Sequence, residues 1–561
     1  MEVTKQKMRK QLLIVILVLL AINFAGNYFF KRFDLTHDKR YTLSNVTLNI
    51  IEKPQEPIYI DVFLEGNFPG EFKRLQDETR QLLEEFKAYN PNIIFQFSNP
   101  LEDEEDKDRA IRDLYSLGLT PINVTVEDKG KQSQEVVFPW ALVNYGDKTT
   151  KVQLLKNMMG ASTAEKVVSS VQHLEYAFAE AVSKVTNEKE KKIAVIKGNG
   201  ELHEVFIANF LKQIRESYYI APFTLDSVAA NPVNTLKSLK EYDLAVIAKP
   251  TEAFTDEEKQ VLDQYIVDGG KTLWMIDAVN IEMDSLYNEK GSTLAFPRDL
   301  NVNDMFFKYG IRINPNLVKD EQATMIQLAT GETGSGTQYH EYFWKYAPFI
   351  YPESQHPITK NLDGIKLDFA NSIDTLSNNI NKTVLLESSG ASKIIGTPVE
   401  VKLDMVAEPL NLKEYEGKGY IPVSVLLEGK FSSVFENRIL PFKDASFKEQ
   451  GVDNKMIVIA DGDIIKNQLD QNYQPLELGY DKWTNQLYDN KAFLMNCVNY
   501  LLDDNGLINI RSKDVSLPLL NKEKVYENYT TAQFITVGLP IIILLLFGLL
   551  FTFLRKRKYS R

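Results

Sequence analysis

The spacing of apolar positions divides the chain into stretches of different period. Between residues 191 and 300, short apolar runs (Ile193–Lys197, Pro222–Leu225, Asp243–Ala248 and Thr272–Ile276) alternate with segments of helical period (Glu201–Glu216, Asn234–Lys240 and Asp256–Val267). Apolar runs separated by amphipathic helices are what a parallel sheet covered on both faces requires, so a doubly wound α/β domain is expected here. The same pattern resumes at 453–515 with the strand Met456–Ala460 and the helix Asn490–Leu502, as if the sheet were completed from a distance. The intervening 301–452 carries strand and turn signals at Ile365–Phe369, Val384–Leu386, Val399–Asp404 and Val423–Leu427, with loops such as Gly331–Thr337, and reads as a β-rich insertion.

Upstream, residues 54–150 run strand (Ile58–Leu64), helix (Glu71–Tyr89), strand (Ile93–Phe97), helix (Glu105–Leu117), then Ile122–Val126 and Glu135–Asn144 as a hairpin around Asp128–Gly130. The order β-α-β-α-β-β predicts a thioredoxin-like domain. An amphipathic helix at Ala161–Thr186, within the connecting stretch 151–190, carries His173 as an ordinary surface or boundary residue. The fold class expected is therefore α/β throughout.

Two stretches are apolar all round. Residues 534–554 contain no ionisable side chain, and at about 1.5 Å per residue they reach about 30 Å, one bilayer core. Residues 12–30 form a second span, longer than a signal-peptide core and with no small-residue cleavage site before Lys31. Basic residues flank both, in the tails 1–11 and 555–561. By the positive-inside rule both tails are then cytoplasmic, and 31–533 lies on the far side of the membrane between the linkers 31–53 and 516–533. In the first span Asn23, Gly26 and Asn27 share one helix face, a candidate docking face for a neighbouring transmembrane helix.

Charge and cysteine content narrow the chemistry. The chain has 64 Lys and Arg against 76 Asp and Glu; without the nine terminal basic residues and Glu2 the remainder holds 55 against 75, near −20. Such a body disfavours nucleic acid, whose binding needs Lys and Arg on phosphates. Cys497 is the single cysteine, which excludes an intrachain disulfide, a CxxC redox pair and a Cys-based zinc site; its apolar helical neighbours place it in the core.

Two glycine motifs resemble nucleotide loops and both fail. Gly198-Asn199-Gly200-Glu201-Leu202-His203 has histidine where the dinucleotide fingerprint needs its third glycine. Gly269-Gly270-Lys271-Thr272 ends a helix and begins a strand, the reverse of a P-loop, so no cofactor and no nucleotide is expected. The acidic run Glu102–Asp108 lacks the glycine and terminal glutamate of a calcium loop and reads as a solvated helix N-terminus. Ligands of doubly wound sheets bind at strand carboxyl ends, which singles out the loops 198–201, 226–231, 249–255 and 277–280. Candidate ligand or partner residues are Asn199, Glu201 and His203, then Asp461 and Asp463 after another strand, and Trp344 in the aromatic run Tyr339–Tyr351. No G-x-S-x-G or H-E-x-x-H occurs, so no catalytic or metal residue is assigned.

The stretches RYTLS (40–44), KGNGEL (197–202), HPITKNLDGIKLDF (356–369), IPVSVLLEGKFSSVFENR (421–438), VIADGDIIKN (458–467) and ELGYDKWTNQLYDNKAFLMNCVNYLLDD (477–504) resemble the gliding-motility ABC-transporter accessory subunits of the GldG family of Bacteroidetes. The resemblance implies an inner-membrane subunit beside a separate permease and a cytoplasmic ATPase, with a possible envelope or motility-machinery partner. It also implies an amidotransferase-like α/β sheet, while the missing nucleophile elbow in this sequence argues against enzymatic use. The competing expectation is a membrane-tethered envelope hydrolase working through a carboxylate pair such as Asp461 and Asp463.

Overall fold

The computed structural model describes residues 12–20, 23, 34, 36, 39–66, 68–102, 106–128, 131–333, 336–513 and 522–559. The chain divides into two compact units, Met1–Asp514 and Val515–Arg561.

In the first unit, β1 (Ile58–Val62), β2 (Ile93–Phe97), β3 (Trp140–Tyr145) and β4 (Lys148–Gln153) form a sheet of order β2-β1-β3-β4. β1 and β2 are parallel and joined by helix α1 (Gly70–Tyr89), whose Phe72, Leu75, Leu82, Leu83 and Phe86 are buried. The expected hairpin is split. Ile122–Asp128 pairs with Lys131–Val137 as a separate two-stranded ribbon, and the sheet strand starts only at Trp140. Pro139 is the reason, because it has no N–H to continue a ladder. The charged strand Lys148–Gln153 had no apolar run to announce it.

Helix α2 (Thr163–Thr186) opens with a reciprocal capping box between Ser162 and Glu165 and buries one long stripe. His173 on it is half-buried, against Arg511 (3.4 Å) and the Tyr176 ring, and burial followed by the Arg511 charge holds its imidazole well below the usual range.

The centre of this unit is a seven-stranded sheet. Its parallel strands are β5 (Lys192–Lys197), β6 (Tyr219–Thr224), β7 (Leu244–Ala248) and β8 (Lys271–Met275), with helices α3 (Ala208–Ser217), α4 (Pro232–Leu239) and α5 (Asp256–Val267) between them. Alternate residues feed two cores. Ile196, Ile247 and Trp274 pack under α4 and α5, while Val195, Val246 and Met275 pack under α3 and the late helix α6 (Asn490–Leu502), which also buries Cys497.

The insertion reading needs correcting. Beyond the long antiparallel hairpin β9 (Ala323–Thr333) and β10 (Gly336–Ile350), the strands β11 (Asn381–Glu387) and β12 (Pro422–Ser432) leave the β-rich region and join the main sheet, followed by β13 (Gln450–Ile459). The order is β11-β12-β13-β8-β7-β5-β6, with β13 parallel to β8 and β12 and β11 antiparallel additions at the edge. Strand pairing of this range with β13 was invisible to local pattern, because partners far apart in sequence leave no joint period.

In the second unit, Tyr529–Arg557 is one helix long and apolar enough to cross a membrane. It contains a π-helical turn, Phe534–Gly538, immediately before Pro540, whose ring and missing N–H disturb the normal ladder. Of the expected first span, 12–20 and Asn23 are helical and exposed, whereas Gly26 and Asn27 lie outside the described residues, as does part of the acidic run.

Asp263 of α5 locks the sheet edge to the helix layer. It is fully buried and accepts hydrogen bonds from Tyr309 Oη (2.8 Å), Ser433 Oγ (2.6 Å) and the Val434 amide (2.8 Å). Asp263→Ala leaves three buried donors unpaired and is expected to cost about 3 kcal/mol of stability, read from denaturant unfolding of the detergent-solubilised chain. A loss below about 0.5 kcal/mol would refute this account.

Candidate functional site

The carboxyl ends of β7, β8 and β13 converge on one buried cation. Lys249 follows β7 in a left-handed backbone conformation (φ 54°), a state costly for a side chain with a Cβ. Its Nζ lies 2.6 Å from Asp463, 2.7 Å from Glu282 and 3.4 Å from Asp277, and its side chain is 2% exposed. Gly462 makes room, since a Cβ there would come within 2.5 Å of Lys249 Cγ. Burial alone would lower the Lys249 pKa; the carboxylates of Asp463, Asp277 and Glu282 outweigh it and hold the ammonium above its ordinary range. The Asp463 carboxylate is likewise pulled below its usual value against burial, by Lys249 and Lys466.

Asp277 and Asp461 behave oppositely. Burial raises Asp277 to about 6 even though Lys249 opposes it, and raises Asp461 well above the carboxylate range with help from its acidic neighbours. Asp461 is fully buried, and its oxygens accept the amides of Asp463 (2.7 Å) and Asp368 (2.8 Å). It is a backbone clamp and no ligand surface, so it cannot form an accessible carboxylate pair with Asp463. Among the described residues, Asp277, Glu282 and Asp463 have the spacing of a metal site, with oxygens within 4.8 Å of one another. The Lys249 ammonium supplies the positive charge at that place.

Outside this cluster opens a cleft of about 990 Å³, between the sheet's carboxyl end and the β9–β10 hairpin. Asp463, Glu282 and Lys466 reach it from the cluster; Lys366, Asp368 and Asp481 line it beside them. Lys366 Nζ sits 3.0 Å from Asp481 and 3.8 Å from Asp368. Burial raises Asp368 to about 6, moderated by Lys366. Tyr287, Tyr339, Tyr342 and Trp483 provide aromatic walls.

The other candidates disperse. Trp344 is 1% exposed and packed on Tyr346 and Phe369, in the buried second half of β10, while Tyr339 and Tyr342 in the first half reach the cleft; it is core, not surface. Asn199 is also buried and donates to Glu258 (3.0 Å). Glu201 accepts the Asn199 amide (2.9 Å), so the chain's own carboxylate occupies the position a phosphate would take in the glycine turn. His203 is exposed and accepts the Val205 amide at the start of a short 3-10 turn. At the other glycine pair, Gly269 (φ 101°) caps α5 just before β8 begins, helix to strand as the sequence predicts. Sequence reasoning reached Asp463 and the loops holding Lys249 and Asp277, but missed Glu282, Lys366, Asp368 and Asp481.

Comparison with known proteins adds a family. Residues 190–497, more than half of the chain and all of the central sheet, match ABC_transp_aux, described as an ABC-type uncharacterized transport system. The chain belongs to that family. Residues 37–144 match a domain of unknown function, DUF7088. An uncharacterized protein of Borreliella burgdorferi is 22% identical over 540 residues, covering 94% of both chains. Among solved structures, the mmIFT52 N-terminal domain is 14% identical and covers 58% of this chain and 100% of its own, at a TM-score of 0.32. With the apolar helix Tyr529–Arg557, the family makes this a membrane-associated accessory component of an ABC-type transport system.

Two consequences of the site geometry are measurable. Lys249→Ala strands three carboxylates and should destabilise the chain by about 3–5 kcal/mol. Millimolar Ca²⁺ should restore part of the lost melting temperature in the variant and leave the wild type unmoved, since oxygen ligands at this spacing suit that ion once the ammonium is gone. Equal responses of variant and wild type to Ca²⁺ would sink the idea.

Asp368 gives a pH signature. Its folded pKa is raised above the unfolded value, so the fold binds the proton more tightly, and the stability gained by protonation is lost as pH rises through about 6. Asp368→Asn, which mimics the protonated form, should therefore gain on the wild type by on the order of 1 kcal/mol between pH 5 and 7.5. A pH-independent difference in melting would contradict the assignment.

Proposed function

We propose that this chain is the accessory subunit of an ABC transporter serving gliding motility, bound to a separate permease and through it to a cytoplasmic ATPase. The family assignment over 190–497, on a chain that also carries a membrane-length apolar helix, is the observation that carries the reading. Arg555, Lys556 and Arg557 at the end of that helix support a cytoplasmic C-terminus in the inner membrane, and the basic residues before 12 support the same side for the N-terminus, with 31–533 periplasmic. The motility assignment rests on the resemblance of the long stretches, among them 421–438 and 477–504, to GldG-type subunits.

The subunit is non-enzymatic in this reading. Asp461 is enclosed, and Asp463, Asp368 and Glu282 are engaged by Lys249, Lys366 and Lys466. The sheet order β2-β1-β3-β4 supports a thioredoxin-like N-terminal domain without its cysteines, and the parallel strands β6-β5-β7-β8-β13 support an amidotransferase-like second domain. The cleft beside β9 is where an envelope partner would be held.

Affinity-tagged chain extracted in mild detergent from its native membrane should bring down a multi-span permease and an ATPase. The purified chain alone should neither hydrolyse ATP nor melt higher in its presence, whereas a ligand of the folded state raises the melting temperature. Recovery of no transporter subunit, or an ATP-dependent shift abolished by Lys271→Ala, would overturn the reading.

A further inference from the structure

The cleft has an unusual wall. Five consecutive residues of β9, Ile326 to Thr330, line it, so the strand presents its edge as well as alternate side chains. β9 pairs with β10 on one side only, and among the described residues no strand pairs with its other edge. An edge strand of 11 residues with this apolar content (ATMIQLATGET) is a template for another strand unless something covers it.

Charge says what kind of strand fits. The lining holds six carboxylates, those of Glu282, Asp284, Asp368, Asp404, Asp463 and Asp481, against three ammonium groups. All three cations are engaged: Lys366 with Asp481 and Asp368, Lys466 with Glu282 and Asp463, and Lys482 with the Leu469 carbonyl and the Trp483 ring. Asp284 and Asp404, both exposed, have no cation paired with them among the described residues. Tyr287, Tyr339 and Trp483 are exposed rings of the same cleft, suited to alkyl stems and to cation–π contact.

We propose that the free edge of β9 receives an extended, Lys/Arg-bearing segment of a partner protein as an added β-strand, its backbone read by β9 and its basic side chains by Asp284 and Asp404. The partner is identified here only by this chemistry: alternating apolar and basic residues in extended conformation. This deepens the accessory-subunit reading by naming what the cleft holds.

The test uses full-length protein in a neutral detergent and fluorescein-labelled short peptides of alternating valine and lysine. Anisotropy should show saturable binding. A valine–glutamate peptide should bind at least about tenfold more weakly, as should the lysine peptide with every second amide N-methylated, which keeps the charge and removes the strand's hydrogen-bond donors. The double variant Asp284→Lys, Asp404→Lys lies on the surface and should melt like the wild type while losing about tenfold in affinity for the lysine peptide. Equal binding of the N-methylated peptide, unchanged affinity in the double variant, or no saturation by any of the peptides would overturn the inference. If the peptides bind as expected while the tagged chain recovers no transporter subunit, the accessory reading falls and strand addition stands; the converse removes strand addition alone.

Discussion

A buried ammonium group is costly unless carboxylates surround it, and Lys249 is surrounded from three directions. Asp277 comes from the end of β8, Asp463 from the end of β13 and Glu282 from the chain leaving the sheet. The interaction fixes how close these strand ends lie, and it requires Gly462 for the approach. Asp461 adds the next link by holding the Asp368 amide, so the β-rich residues that follow β10 are registered against the sheet through the same cluster. The floor of the cleft is the outer side of this arrangement.

The electrostatics of the cluster are graded rather than uniform. Lys249 and Lys466 pull the Asp463 carboxylate below its usual value, while burial raises Asp277 and Asp368 to about 6 and lifts Asp461 well above the carboxylate range. The cations facing the cleft are spent on internal pairs. What remains for a ligand is unneutralised carboxylate at the rim, aromatic wall and a strand edge, a combination suited to recognition of a basic extended chain.

The two nucleotide-like loops show how a structure fills a motif from within. In the Gly198–Gly200 turn the Glu201 carboxylate takes the backbone amide, and Thr251 and Glu252 donate their amides to the Asn199 carbonyl. At Gly269–Gly270 the backbone closes a helix onto a strand. Both depend on glycine conformations, with φ of 120° at Gly198, 70° at Gly200 and 101° at Gly269.

Local pattern determined much of the architecture. The alternation between Lys192 and Ile276, the apolar run at 534–554 and the core position of Cys497 are all dictated by nearest-neighbour chemistry and period, and the structure has them where period places them. It likewise pointed to strand carboxyl ends, where Lys249, Asp277 and Asp463 stand. Tertiary structure decided the rest. Only pairing with β13 places β12, and through it β11, in the main sheet; only burial turns Asp461 and Trp344 from surface candidates into a clamp and a core residue; only the meeting of segments more than a hundred residues apart creates the Lys249 cluster and the cleft. Period is a property of neighbours along the chain, whereas a buried charge is satisfied by whichever groups the fold brings within a few ångströms, and no local signal records that.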